Sequence, residues 1–175
     1  LFRSNIKHHN RFEIAQAINK VAEQNPKVIG LDIVFKDRKE PFLDSVLRAS
    51  LTNNKNIVTS YFVDGDNTIS NHPYFKTPNE INGFINVNLS DQDVVIRDFV
   101  GVKSNTYSFA TQMALQSGLL EEKNLKKLED RIPINYIGNE NSFLSFDIDE
   151  ILESDSIDAM NNAIVIFGYL GTPTN

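Results

Sequence analysis

The stretch Lys27-Val28-Ile29-Gly30-Leu31-Asp32-Ile33-Val34-Phe35 decides the fold. Six of its nine residues are apolar and rich in Val, Ile and Phe, which favour extended backbone. A near-continuous apolar run predicts a strand covered on both faces, as in a parallel sheet packed by helices. Asp32 interrupts it. A buried carboxylate costs several kcal/mol unless it is paired or hydrogen-bonded, so the strand predicts a partner for Asp32.

A helix precedes the strand. Ile14, Ala17, Ile18, Val21 and Ala22 recur at helical spacing over residues 11–24. Asn10 and Glu13 form a capping pair, and Asn25-Pro26 ends the helix. Downstream the order repeats. Residues 36–41, with Pro41, read as a loop. Asp44 reads as the cap of a short helix through about Leu51, and Ile57 to Val63 as a second strand. Helix-to-strand alternation favours parallel pairing through right-handed crossovers.

Residues 64–82 read as loop. Gly83 to Val87 and Val94 to Val100 read as two strands of a hairpin about the polar turn 88–93. Residues 107–118 read as a helix capped by Ser108 and stopped by Gly118. Residues 119–131 form a charged segment, and Ile132 to Ile137 a strand whose proline places it at an edge or a strand start. A short helix over 145–154 and an apolar strand over 163–168 complete the pattern. The expected architecture is a single α/β domain over residues 1–175. It has a mostly parallel central sheet, helices on its faces and an antiparallel hairpin insertion.

The chain has 175 residues and a net charge of -6, which argues against a general nucleic-acid binder. It has no cysteine, which removes disulfides, thiolate metal sites and cysteine nucleophiles. No run approaches the roughly 20 apolar residues that span a bilayer. A chain that opens at Leu1 without Met reads as a domain excised from a longer protein.

Three groups could carry chemistry. Asp32 could reach the carboxyl edge of a parallel sheet, where ligands of α/β proteins bind; the rival reading is a structural Asp held by amides or an Arg. Asp91-Gln92-Asp93, followed by Arg97, could ligate a hard cation, but the calcium-loop glycine and closing glutamate are missing; the rival is a turn in which Asp93 pairs with Arg97. Gly168 and Gly171 could bring backbone amides to an anion, or simply mark a turn. His8, His9 and His72 lie in no metal-spaced motif, and neither a nucleophile elbow nor a phosphate loop occurs. No catalytic residue, metal site or cofactor is expected, and the chain does not read as an enzyme.

The succession of segments is more specific than any one of them. Arg11 opens a helix, followed by Val28-Ile29-Gly30-Leu31-Asp32-Ile33-Val34-Phe35, Asp44-Ser45-Val46-Leu47 and Gly83-Phe84-Ile85-Asn86. Then come Asp91-Gln92-Asp93-Val94-Val95-Ile96-Arg97, Ser108-Phe109-Ala110, Ile134-Asn135-Tyr136-Ile137-Gly138 and Ile164-Val165-Ile166-Phe167-Gly168-Tyr169. This order resembles the second-type CHASE domain, a cyclase/histidine-kinase-associated sensory extracellular domain, over nearly the whole chain. Val94 stands where that family often has glycine.

The resemblance implies the extracytoplasmic (periplasmic) sensor of a bacterial inner-membrane receptor, flanked by membrane helices. Its output module would be a histidine kinase, a nucleotide or diguanylate cyclase, or a serine/threonine kinase. The expected partners are a small molecule or periplasmic protein, the flanking transmembrane helices and cytoplasmic signalling domain, and a second copy in a homodimer. The polar group Asp32, Asp91, Asp93 and Arg97 is the expected ligand-binding or switching region. The rival functions are a periplasmic interaction or structural module without a small ligand and, behind it, a metal-assisted hydrolase.

Overall fold

The computed structural model describes residues 10–86, 96–138 and 142–169. Helix α1 (Arg11–Glu23) opens on the expected capping box: Asn10 Oδ1 accepts from the Phe12 and Glu13 amides, and Glu13 accepts from the Asn10 amide. Strand β1 (Val28–Asp32) follows, then α2 (Pro41–Asn53), β2 (Ile57–Asp64) and β3 (Asn67–Ile69). A 3₁₀ turn (Pro73–Phe75) leads to β4 (Ile81–Phe84), β5 (Asp98–Phe99), β6 (Val102–Lys103) and β7 (Thr106–Tyr107). Helix α3 (Phe109–Gln116), a 3₁₀ helix (Glu122–Leu128) and β8 (Ile132–Pro133) come next, then α4 (Ile148–Glu153), a 3₁₀ turn (Asp158–Met160) and β9 (Ile164–Gly168).

The central sheet runs β3-β2-β1-β9, with β4 also paired to β2. Strands β4, β2, β1 and β9 are parallel; β3 returns antiparallel on the outer end of β2. Side chains alternate between the two faces of a strand. Ile29, Leu31, Ile57, Val165 and Phe167 therefore share one face, buried under α1, α2 and α4. Val28 and Val58 share the other face, where they pack against Phe109 and Met113 of α3, with Ile164 and Ile166 partly buried beside them. The mostly parallel, helix-flanked sheet expected from the sequence is present.

Two glycines let α3 approach the sheet closely. A Cβ on Gly30 would lie 2.5 Å from Met113 Sδ, and one on Gly83 would lie 2.5 Å from both the Cα and the N of Phe109. The start of α3 is thus seated directly on the backbone of β4, and Ser108 forms a parallel bridge with Phe84.

Several local expectations are corrected. Asp32 does not sit inside a buried strand: it closes β1 and is exposed, because Ile33 to Phe35 leave the sheet. Pro41 is no loop residue but occupies the first turn of α2, where its missing N–H costs nothing, and Glu40 caps the helix through the Phe42 and Leu43 amides. Asp44 lies inside that helix and is fully buried.

Among the described residues, the segment beginning at Gly83 pairs in parallel with β2, whereas Asp98 and Phe99 of the segment ending at Val100 pair with Ile132 and Pro133. Turn 88–93 lies outside the described residues. The compact hairpin is instead β6–β7, turned by Ser104 and Asn105, both at positive φ (50° and 60°), the geometry of a type I′ turn.

Candidate functional site

Ligands of open parallel sheets gather at the carboxyl ends of the strands. Here that edge is formed by Asp32 of β1, the outer half of β2, Phe84 of β4 and Gly168 of β9. Asp32 is in register with Gly168 on β9. On its other side, Leu31 is in register with Thr59, so one step along the same ladder sets Ser60 beside Asp32. Ser60 is in turn in register with Gly83. The face that carries α3 therefore ends in a row Gly168, Asp32, Ser60, Gly83.

Neither polar member of that row is answered from within the described residues. Ser60 is 1% exposed and its Oγ has no hydrogen-bond partner. Asp32 makes no ion pair; the nearby Lys36 places its Nζ 4.9 Å from the centre of the Phe62 ring. Asp32 lies at the surface, but the sheet end withdraws its carboxyl in part from water, and that desolvation raises its pKa.

Arg97 is exposed, and its backbone carbonyl accepts from the Ile134 amide. No ion pair joins it to Asp32. Asp91 and Asp93 lie outside the described residues, as do His8, His9 and Gly171. His72 caps the 3₁₀ turn: its Nδ1 accepts from the Tyr74 amide at 3.1 Å. Among the described residues no three His, Asp or Glu side chains converge on a metal position.

A cleft of about 950 Å³ opens at the carboxyl ends of β2 and β4. Tyr61 and Phe84, in register on neighbouring strands, form part of its lining. Asn86 fixes one wall. Its side-chain amide accepts from Val63 N at 2.8 Å and donates to Val63 O at 2.7 Å, as a further strand residue would. The β6–β7 turn supplies the opposite wall through Val102, Lys103 and Thr106. Arg131, which leads into β8, reaches the rim, and its nearest carboxylate partner is Asp98 at 4.0 Å.

The answered buried charge is elsewhere. Arg11 donates from Nη1 to Oδ1 of Asp44 and from Nη2 to the Asp37 carbonyl. Asp44 Oδ2 accepts from the Lys39 amide at 2.9 Å and lies 3.6 Å from Arg38 Nε. The Arg11 guanidinium also stacks over Phe75, 4.8 Å from its centroid, while Arg38 and Arg48 lie 4.2 and 4.9 Å from the Tyr74 ring centre. Burial alone would push the Asp44 carboxyl up. The Arg11 and Lys39 hydrogen bonds, with the charges of Arg11 and Arg38, outweigh it and hold the carboxyl below its ordinary range.

Sequence reading missed this centre although it left a trace. Arg11 falls in the stripe of Ile14, Ala15 and Ile18, and Asp44 in the stripe of Leu47 and Leu51. A charge inside an apolar helical stripe signals a buried pair. Nothing comparable marks the cleft, whose walls come from separate segments.

The sequence matches the CHASE2 domain over residues 7–174, nearly its full length. The chain belongs to the CHASE2 family of extracellular sensory domains, which typically serve signalling receptors and are not catalytic modules. No curated protein and no solved structure matches it. No helix among the described residues is long and apolar enough to cross a membrane.

Proposed function

We propose that this chain is the extracytoplasmic sensory domain of a bacterial transmembrane signalling receptor, and that it couples binding of a ligand or partner to an intracellular output module. Family membership over residues 7–174 carries this reading. A ligand shifts such a receptor only by binding one of two states more tightly than the other. The carboxyl edge of the sheet is where we place that event. Asp32, at that edge, and Asp91, Asp93 and Arg97 are the residues proposed to change partners, and the carboxylate of Asp32, which no described residue answers, supports its inclusion.

Reporter fusions test the location. In the natural gene context, alkaline phosphatase joined within this domain is expected to be active and green fluorescent protein dark. Fluorescent protein that lights up within the domain places it in the cytoplasm and overturns the proposal.

A further inference from the structure

The cleft at the carboxyl ends of β2 and β4 has the dimensions and lining of a small-molecule site. Its volume of about 950 Å³ lies at the upper end of the ~300–1,000 Å³ common for such sites. Its lining is mixed: Tyr61, Phe84, Val100 and Val102 supply apolar and aromatic surface, and Asn86, Lys103 and Arg131 supply polar groups. Its walls are preformed. Asn86 is clamped to both backbone groups of Val63, the β6–β7 turn is closed by the Thr106 hydroxyl donating to the Lys103 carbonyl at 2.6 Å, and the Gly101 amide is tied to the Leu128 carbonyl at 2.9 Å. A site already organised loses less free energy to ordering when it binds.

The charges on its rim select the ligand. Among the described residues that line it, Lys103 and Arg131 stand with the carboxylate of Glu129, and Asp98 lies 4.0 Å from Arg131. Among the described residues the ion pair of Arg131 is to Asp98 at 4.0 Å, too long for a hydrogen bond, so its planar fork of donors can turn to a closer acceptor. A guanidinium fork matches a carboxylate through two parallel hydrogen bonds.

We propose that this cleft binds a small organic carboxylate with an aromatic or branched apolar body, the carboxylate on Arg131 and Lys103 and the body over Tyr61 and Phe84. Only its use as a signal rests on the sensory reading above; the binding itself rests on the geometry of the cleft.

The probes are phenylacetate, its neutral counterpart phenylacetamide and the cationic phenethylamine, titrated into the ¹⁵N-labelled chain and followed by amide NMR shifts. Phenylacetate is expected to give saturable shifts at Val63, Val102 and residues 104–106. Arg131→Ala should weaken it about tenfold or more, the loss of a charge-assisted contact, while Lys55→Ala outside the cleft leaves it unchanged. The spectrum of Arg131→Ala without ligand reports whether that variant is folded.

Equal binding of the amide or the amine, indifference to Arg131→Ala in a folded variant, or no saturable shift at these amides with any probe overturns the proposal. The reporter fusions stand apart from this result: a cytoplasmic location removes the sensory role and leaves the carboxylate site, whereas silent titrations remove the site and leave the sensory role.

Discussion

Arg11 and Asp44 lie 33 residues apart in sequence and meet in the core, the first residue of α1 donating to a carboxylate inside α2. Arg11 is 8% exposed and Asp44 not at all. The pair fixes the start of α1 against α2 and, through Phe75, against the 3₁₀ turn that follows β3.

Removing one partner strands the other in the core. Arg11→Met or Asp44→Leu should each destabilise the fold by about 3–5 kcal/mol, and the double substitution by much less than the sum, because two apolar side chains leave no orphan charge. Urea unfolding of the four species measures this. Additive losses would show that the two residues act separately.

Acid should expose the same pair. The folded Asp44 carboxyl lies below its unfolded value, so between the two the unfolded chain binds more protons and stability falls as the pH drops. The contribution is complete above the ordinary carboxylate range near about 4 and is lost as pH falls through the lower folded value. Asp32 has the opposite sign. Its folded carboxyl is raised, so its contribution is lost as pH rises from about 4 through the folded value. Urea midpoints followed against pH should therefore lose their acid decline in part in Asp44→Asn, whereas Asp32→Asn should lose a component that weakens the fold on the alkaline side of that range.

Gly83 and Gly30 should differ under the same substitution. A methyl on Gly83 meets the backbone of Phe109 and Ser108, which moves only if α3 moves. A methyl on Gly30 meets the ends of the Met113 and Phe109 side chains, which can turn aside. Gly30→Ala should cost about 1–3 kcal/mol and Gly83→Ala more, measured by chemical denaturation. Equal costs would mean that α3 slides freely on the sheet.

Two buried polar side chains should respond in opposite directions. Among the described residues the Ser60 hydroxyl has no partner, so Ser60→Ala should be neutral or stabilising by about 1–2 kcal/mol. Asn71 accepts from the Phe35 amide at 2.8 Å, and Asn71→Leu leaves that N–H unanswered at a cost of about 1–3 kcal/mol. Thermal unfolding of both variants decides; a marked loss in Ser60→Ala would reveal a partner for the hydroxyl.

The sheet was legible where the local signal agreed with the tertiary one. β1, β2 and β9 are apolar, β-branched runs, and the capping pair at Asn10 and Glu13 marked the start of α1. Long-range pairing was not legible. Gly83-Phe84 reads equally well as half of a hairpin or as a parallel strand, and only packing against β2 and α3 decides between them. The β6–β7 strands are two residues each, too short for any periodicity, and their turn uses Ser104 where glycine or asparagine is the usual signal.

Of the site, Asp32 stood out because a carboxylate broke an apolar run. Its exposed position was hidden because Ile33-Val34-Phe35 continue that run after the strand has ended. Asp44 was read as a cap because acidic residues are common there; the true cap, Glu40, stands just before a proline that looked like a loop marker.

Asn86 has one more consequence. Past the end of β4, the Val63 N–H and C=O would otherwise face outward as an unfinished ladder, the template on which misassembled chains add strands. Its side-chain amide fills both positions and closes them. The domain thereby blocks at Val63 a route to aggregation, using one side chain where many sheets need a whole covering loop.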